Sequence, residues 1–341
     1  MSNATRETRR GARRRRAHVV ALTGVHSAVG AALMRRLDED ELVSRLVLID
    51  RRAPALPLRK AVSYNVDLTA TLADAAVAEM LARERVETVV HAAFHGTPVH
   101  GLEAAHELEV IGTRTLLRAV ASNVRHVGTV ANLVMLGTTM SYGAHPDNPQ
   151  YVDEEVPLRG APEYPFVADK VAAEVEVAAL RGRTGLPTAV LRACWTVGDP
   201  GTLAARFLAS LAVPAVLGTD PLVQLLHMED LVDAVRLAAH GRHDGTFNVV
   251  GEGVLPLSTI VKLAGRLRAA VPESALRAAL RTLWMAGVGL VPAAHVAYLR
   301  DTFAADGARA AAVLGFRARY STRDALGRHV AERRGATRLA A

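Results

Sequence analysis

The sequence predicts an α/β fold, a doubly wound parallel sheet with a smaller, discontinuous C-terminal lobe. Three observations predict it. The stretch from His18 to Arg52 reads as strand, glycine-bearing turn, helix, strand and acid. Short apolar runs then alternate with helical patterns to about residue 193, as in parallel sheets covered on both faces. Half of the 341 residues are apolar, enough for one large core or two modest domains.

The first strand is His18-Val19-Val20-Ala21-Leu22, followed by the turn Thr23–Gly30. Val29, Leu33 and Leu37, spaced by four, mark a helix, and Leu46-Val47-Leu48-Ile49 the second strand. Glycine allows the tight turn, small residues admit a pyrophosphate to the helix N-terminus, and Asp50 can accept from a ribose. Gly24, His26, Ser27, Ala28, Val29 and Gly30 therefore form the candidate phosphate loop. Ser27 stands where such loops usually have a glycine, and its hydroxyl can donate to phosphate.

A third strand is expected near Ala61–Val66 and a helix over Leu72–Arg83. The fourth strand is Thr88–Ala93, a long helix covers Leu102–Ser122, and a fifth strand begins at Val124-Arg125-His126-Val127. A helix at Phe166–Arg181 stops at Gly182 and Gly185, and Thr188–Arg192 is the sixth strand. Beyond Cys194, strands around Val223–Leu226 and Thr246–Val250 lie among helices at Glu229–His240, Leu257–Ala269, Glu273–Trp284 and Asp324–Arg333. The expected division is an Arg-rich tail at 1–17, a dinucleotide-binding domain at 18–193 and a substrate lobe at 194–341, with segments around 223–250 returning to the sheet.

Charge is concentrated at the N-terminus. Residues 1–17 hold seven arginines and one glutamate, +6 of the net +7, which leaves the remainder at +1. That tail is read as a solvated arm rather than a nucleic-acid binder, and it has no apolar segment of the secretory kind. The single cysteine, Cys194, excludes an internal disulfide and fits a reducing cytoplasm. No Cys/His/carboxylate cluster has metal-ligand spacing, so no metal is expected, and no apolar run is long enough to span a bilayer.

Over about residues 18–335 the chain resembles an extended short-chain dehydrogenase/reductase of the NAD-dependent epimerase/dehydratase type. The resemblance is carried by Thr23-Gly24…Ser27…Gly30, Asp50, Val66-Asp67-Leu68, His91-Ala92-Ala93, Val110-Ile111-Gly112-Thr113, Tyr142-Gly143, Asp169-Lys170, Leu191-Arg192-Ala193, Gln224–Asp230 and Thr246–Val249. It implies a Rossmann-type sheet and a nicotinamide cofactor. It also implies that Asp50 holds the adenosine ribose, Asp67 and Leu68 flank the adenine, and Ala92, Ala93 and Phe94 run beside the middle of the cofactor. Lys170 then bonds the nicotinamide ribose, and the segment Ala193–Val197, with Ala193 and Trp195 as its contacts, approaches the carboxamide. Arg51 and Arg52 sit where a 2′-phosphate would lie and favour NADPH, whereas Asp50 favours NAD.

The catalytic pattern departs from the family. The position four before Lys170, where the family keeps a tyrosine acid, is Phe166, which has no exchangeable proton. The family's serine or threonine maps to Asn132 or Thr138 by two counts that differ by about six residues, implying an insertion. Glu109 replaces the usual asparagine. In the missing tyrosine, its length and its arginine-rich composition the chain is similar to atypical angucyclinone ketoreductases that lack the tyrosine. That resemblance implies reduction of a carbonyl on an aromatic polyketide in antibiotic biosynthesis, with the proton coming from a neighbouring substrate hydroxyl. A sugar-nucleotide epimerase or dehydratase, and a non-catalytic NAD(P)-binding regulator, are the alternatives. His95, Met140, Ser141, Tyr142, Phe166 and Trp195 are the expected substrate contacts, and the protein is expected to be a monomer or homodimer.

Overall fold

The computed structural model describes residues 16–160 and 162–340, so the expected tail lies outside the described residues up to Arg15. The chain runs through β1 (His18–Thr23), α1 (Ala28–Glu39), β2 (Val43–Asp50), β3 (Ala61–Asn65), α2 (Ala73–Arg83) and β4 (Thr88–His91). Next, α3 (Leu102–His106) passes through a π-helical turn, Glu107–Gly112, into α4 (Thr113–His126). Then come β5 (Asn132–Thr138), α5 (Pro165–Thr184), β6 (Thr188–Ala193) and β7 (Trp195–Val197). The C-terminal part holds α6 (Leu203–Ala209), β8 (Ala212–Val216), β9 (Leu222–Val223), β10 (Leu225–His227), α7 (Met228–His240) and β11 (Gly245–Val249). It continues with β12 (Leu255–Pro256), α8 (Leu257–Leu263), β13 (Leu267–Val271) and α9 (Glu273–Met285).

Seven parallel strands form the main sheet in the order β11-β6-β5-β4-β1-β2-β3. Every residue of β4 and β6 is buried, which explains their mainly apolar middles, Val89-Val90 and Ala189-Val190-Leu191. One face packs Leu33, Leu37, Leu231 and Val235 from α1 and α7; the other packs Val77, Leu116, Val120 and Val177 from α2, α4 and α5. The chain winds outward from β1 to β3, then crosses back to β4. Between β1 and β4 lies the topological switch point, where open α/β sheets bind ligands. A further core under α6, α8 and α9 joins Phe207, Ile260 and Leu276 to Tyr164 and Val167 at the start of α5.

Three elements differ from expectation. Val124–Val127 ends α4 instead of opening a strand. The amides of Val127 and Gly128 both reach the Asn123 carbonyl, and Gly128 takes the left-handed φ of +73° that closes such helices. The fifth strand begins only at Asn132, so no insertion is needed before Thr138. The expected helix at Leu257–Ala269 breaks after Leu263, because Gly265 (φ +67°) turns the chain into β13, which pairs with β8.

Candidate active site

Parallel register brings the C-terminal ends of the strands together. Thr23 pairs with His91 and with Ile49, and Thr138 pairs with Ala193. At the β1–α1 turn the backbone is closely fitted. Gly24 has φ +74°, and a Cβ there would lie 2.3 Å from the Ala92 carbonyl oxygen. A Cβ on Gly30 would lie 2.0 Å from the Gly24 oxygen. This cradle, closing on the N-terminus of a twelve-residue helix, fits a dinucleotide pyrophosphate.

Ser27 serves the turn itself. Its hydroxyl accepts from the Gly30 amide at 2.9 Å and donates to the Gly24 oxygen at 2.9 Å. The expected hydroxyl–phosphate bond is therefore corrected: as N-cap, that hydroxyl is already committed. Ala28 and Val29 line the cleft beside it. At the end of β2 the Asp50 carboxylate accepts the Arg51 amide at 2.7 Å. The Arg51 guanidinium turns to Asp67, 3.3 Å away. Asp67 also accepts the amide and hydroxyl of Thr69, and these bonds hold its carboxyl below the usual range. His26, on the exposed rim, bonds the Arg52 carbonyl at 3.0 Å. Leu68 is buried, its Cβ 3.4 Å from where a Cβ on Gly112 would be.

The inner cleft is lined by Ala92, Phe94, Thr138, Met140, Phe166 and Lys170, with Ala193 to Trp195 closing its floor. Phe166 lies in the first turn of α5 and Lys170 one turn later, so both face the cleft. The Lys170 ammonium bonds both carboxylate oxygens of Glu109, at 3.0 and 2.9 Å, and sits 3.8 Å above the centre of the Phe166 ring. The pair is buried, with side-chain exposures of 8% for Lys170 and 2% for Glu109. Glu109 also accepts the His95 amide at 2.8 Å. The π-helical turn lets Glu109 face α5 across the sheet end, the kind of helix insertion often seen at functional sites.

Some expected site residues are elsewhere. Asn132 opens β5, at the opposite end of the strand from the cleft, and its amide donates to the Ala238 carbonyl at 3.0 Å, so only Thr138 reaches the cleft. Thr138 accepts the Met140 amide at 3.2 Å. Ser141 and Tyr142 are fully buried beneath the cleft. The Tyr142 phenol donates to Asn248 and accepts from Arg192, each at 2.8 Å, and Arg192 is paired with buried Glu174. Against expectation Tyr142 does not line the pocket: the short 3-10 segment Thr139–Tyr142 carries its ring back into the core.

Tyr164, the other phenol near Phe166, bonds buried His295 at 3.1 Å. His91 is a structural pin, held by Thr23 at 2.7 Å and Thr113 at 2.8 Å, and burial drives its pKa down to about 3. Cys194 lines the floor as an inert thiol, pushed up to about 12 by burial. Trp195 is 6% exposed and stacks on His295 at 5.8 Å, so it is both core and cleft wall.

A second cavity, of about 370 Å³, adjoins the first; His95 and Phe166 line both. Its far wall is α9, with Arg277, Arg281, Trp284 and Met285. Sequence reasoning missed this wall, because nothing in a lobe helix marks it as a ligand contact. It also missed the Glu109–Lys170 bond, although the unusual acid at 109 was visible.

The comparisons agree with this geometry. Residues 20–250 match the model of the NAD dependent epimerase/dehydratase family. Uncharacterized proteins of Mycobacterium tuberculosis and Mycobacterium bovis are 31% identical over 258 residues, covering 74% of this chain and 68% of theirs. Among solved structures, MoeE5 in complex with UDP-glucuronic acid and NAD is similar at a TM-score of 0.71 and 21% identity, covering 93% of this chain and 99% of that one. The UDP-glucose 4-epimerase of Thermotoga maritima, solved with UDP-glucose, has a TM-score of 0.71 at 17% identity, covering 93% and 99%. DesIV, a dTDP-glucose 4,6-dehydratase of Streptomyces venezuelae, has a TM-score of 0.71 at 19% identity, covering 94% and 98%. At these identities the structures establish the fold alone, and none is a polyketide ketoreductase. The family match, the glycine cradle and the lysine at the end of the cleft together place this chain in the NAD-dependent epimerase/dehydratase family.

Proposed function

We propose that the protein is an NADPH-dependent ketoreductase acting on a carbonyl of a flat, apolar polycyclic substrate of the aromatic polyketide kind. The observation that carries this reading is Phe166 lying against the Lys170 ammonium, at the junction of a dinucleotide cleft and an apolar cavity. When bound, the nicotinamide supplies the hydride. The Gly24–Gly30 turn holds the pyrophosphate and Asp50 the adenosine ribose. Lys170 offers its remaining N–H to the nicotinamide ribose, while Glu109 fixes the ammonium. Phe94, Met140, Phe166 and Trp195 exclude water from the reacting carbonyl.

Among the described residues no phenol lines the inner cleft, and Tyr164, in the wall of the adjoining cavity, is buried and bonded to His295, so the proton comes from a hydroxyl beside the substrate carbonyl. That O–H bond breaks as the new one forms on the reduced oxygen, and solvent reprotonates the donor. Phe166→Tyr is then expected to leave turnover within about twofold, while a substrate lacking the hydroxyl is not reduced. A gain of about 100-fold from Phe166→Tyr, the usual contribution of a general acid, would overturn substrate donation.

Arg52 supports NADPH. Arg51 is occupied by Asp67, whereas no acid pairs with Arg52 among the described residues. Arg52→Ala is expected to weaken NADPH binding about tenfold, the scale of one charge-assisted hydrogen bond, and to leave NADH unchanged. Equal losses for both cofactors, measured by fluorescence titration, would assign the protein to NAD.

A second reading, a sugar-nucleotide epimerase or dehydratase using NAD, is favoured by the solved structures, whose ligands are sugar nucleotides. It requires a base on a sugar hydroxyl at the place Phe166 occupies. Conversion of UDP-glucose or dTDP-glucose by the purified protein with NAD would establish it over the first.

A further inference from the structure

We infer that the cavity against α9 recognises an anionic group on the substrate. Its ligand is a planar aromatic carbonyl compound bearing a carboxylate, with the ring against Trp284 and the carboxylate on Arg281. The inference rests on the reductase reading for the position of the reacting carbonyl, and adds the chemistry of the substrate's far end.

Four observations carry it. First, α9 presents Arg277, Arg281, Trp284 and Met285 at spacings of three and four, so one helix face forms the wall. Second, Trp284 is held in place. His100 stacks on its ring at 3.9 Å between centres and bonds the Gly289 carbonyl at 3.1 Å. One side of the indole is thus occupied by the loop after β4, which fixes its attitude toward the cavity.

Third, the charges around the cavity are satisfied except at two places. Glu109 is tied to Lys170, Asp169 to His106 at 2.7 Å, and Arg277 to Glu273 at 2.8 Å. Among the described residues no carboxylate or carbonyl bonds the Arg281 guanidinium. The remaining acid, Glu163, is exposed on the α5 side of the rim. An anion is repelled from that side and drawn to Arg281, which sets the direction of the ligand. Fourth, Pro98, Val99, Leu102, Phe166 and Pro292 give the cavity an apolar stretch, and of the polar side chains beside it Glu109, Tyr164 and Asp169 are already bonded to Lys170, His295 and His106. Against that stretch a sugar's hydroxyls would lose water, whereas a flat hydrocarbon ring loses no hydrogen bonds. A planar guanidinium matches a carboxylate in two parallel bonds.

Calorimetric titration of the full chain with an acetylnaphthoate and with its uncharged carboxamide tests this. The carboxylate is expected to bind about tenfold tighter, the worth of one charge-assisted pair. Arg281→Gln should remove that difference while leaving the carboxamide unchanged, and Arg281→Lys should restore part of it. Trp284→Leu should weaken both ligands together. Equal binding of the two ligands to the wild type, or equal losses for both in Arg281→Gln, would overturn the assignment. So would displacement of the probe by UDP-glucose at concentrations below those needed with the carboxamide. NADPH oxidation, followed separately, keeps the two readings apart. Selective carboxylate binding without oxidation leaves the subsite standing and removes the reductase; oxidation with no preference for the carboxylate does the reverse.

Discussion

Lys170→Met is expected to destabilise the protein by about 3–5 kcal/mol, because it strands the Glu109 carboxylate in a buried site without its counter-charge. Both side chains are almost excluded from solvent, and two bonds of 3.0 and 2.9 Å join them. An exposed pair would contribute less than about 1 kcal/mol. The double change Glu109→Gln with Lys170→Met should recover most of the loss, since a neutral amide still accepts the His95 amide and needs no cation. Urea denaturation of the two single variants, the double variant and the wild type closes a thermodynamic cycle. A loss below about 1 kcal/mol for Lys170→Met would show that water reaches the pair in solution. The same variant is expected to lose cofactor affinity, because Lys170 is the only lysine or arginine among the described residues that line the inner cleft.

The second large effect is expected at the turn. In Gly30→Ala the new methyl would sit 2.0 Å from the Gly24 oxygen, 2.8 Å from its carbon and 2.9 Å from the Ser27 hydroxyl. These are backbone and turn atoms with nowhere to go, so the β1–α1 junction must open. Dinucleotide binding should weaken by about 100-fold or more, equivalent to roughly 2.7 kcal/mol. The stability loss should be smaller than that of Lys170→Met, because the strain stays local. Gly182→Ala, near the far end of α5 where a new methyl meets nothing within 4 Å, serves as control. Unchanged affinity in Gly30→Ala would mean that the cofactor does not use this cradle.

The turn was legible in the sequence because its chemistry is local: glycine, small residues and an acid at fixed distances along the chain. The sheet was legible because buried parallel strands leave short apolar runs. The fifth strand was not, since Val124-Arg125-His126-Val127 has strand-like residues but continues the last turn of a helix with Val124 against its core. That misplacement alone generated the false insertion and the candidacy of Asn132. The site was half legible. Lys170 and Phe166 share one helix, so their spacing of four announced a common face. Glu109 lies 61 residues from Lys170, and only the packing of the π-helical turn on α5 reveals that they meet. The α9 wall lies further still from the motifs, and its arginines resemble any others in an arginine-rich chain.

The π-helical turn at Glu107–Gly112 has a consequence for the neutral balance of the inner cleft. A helix with one residue too many is out of phase across the defect by about 100°. Deleting a single residue there would restore an ordinary spiral and swing Glu109 away from its lysine without altering any side chain. The charge the cofactor meets is therefore governed by the length of this segment as much as by its composition. Grafting Glu109 into a relative whose helix is uninterrupted would point the acid somewhere else.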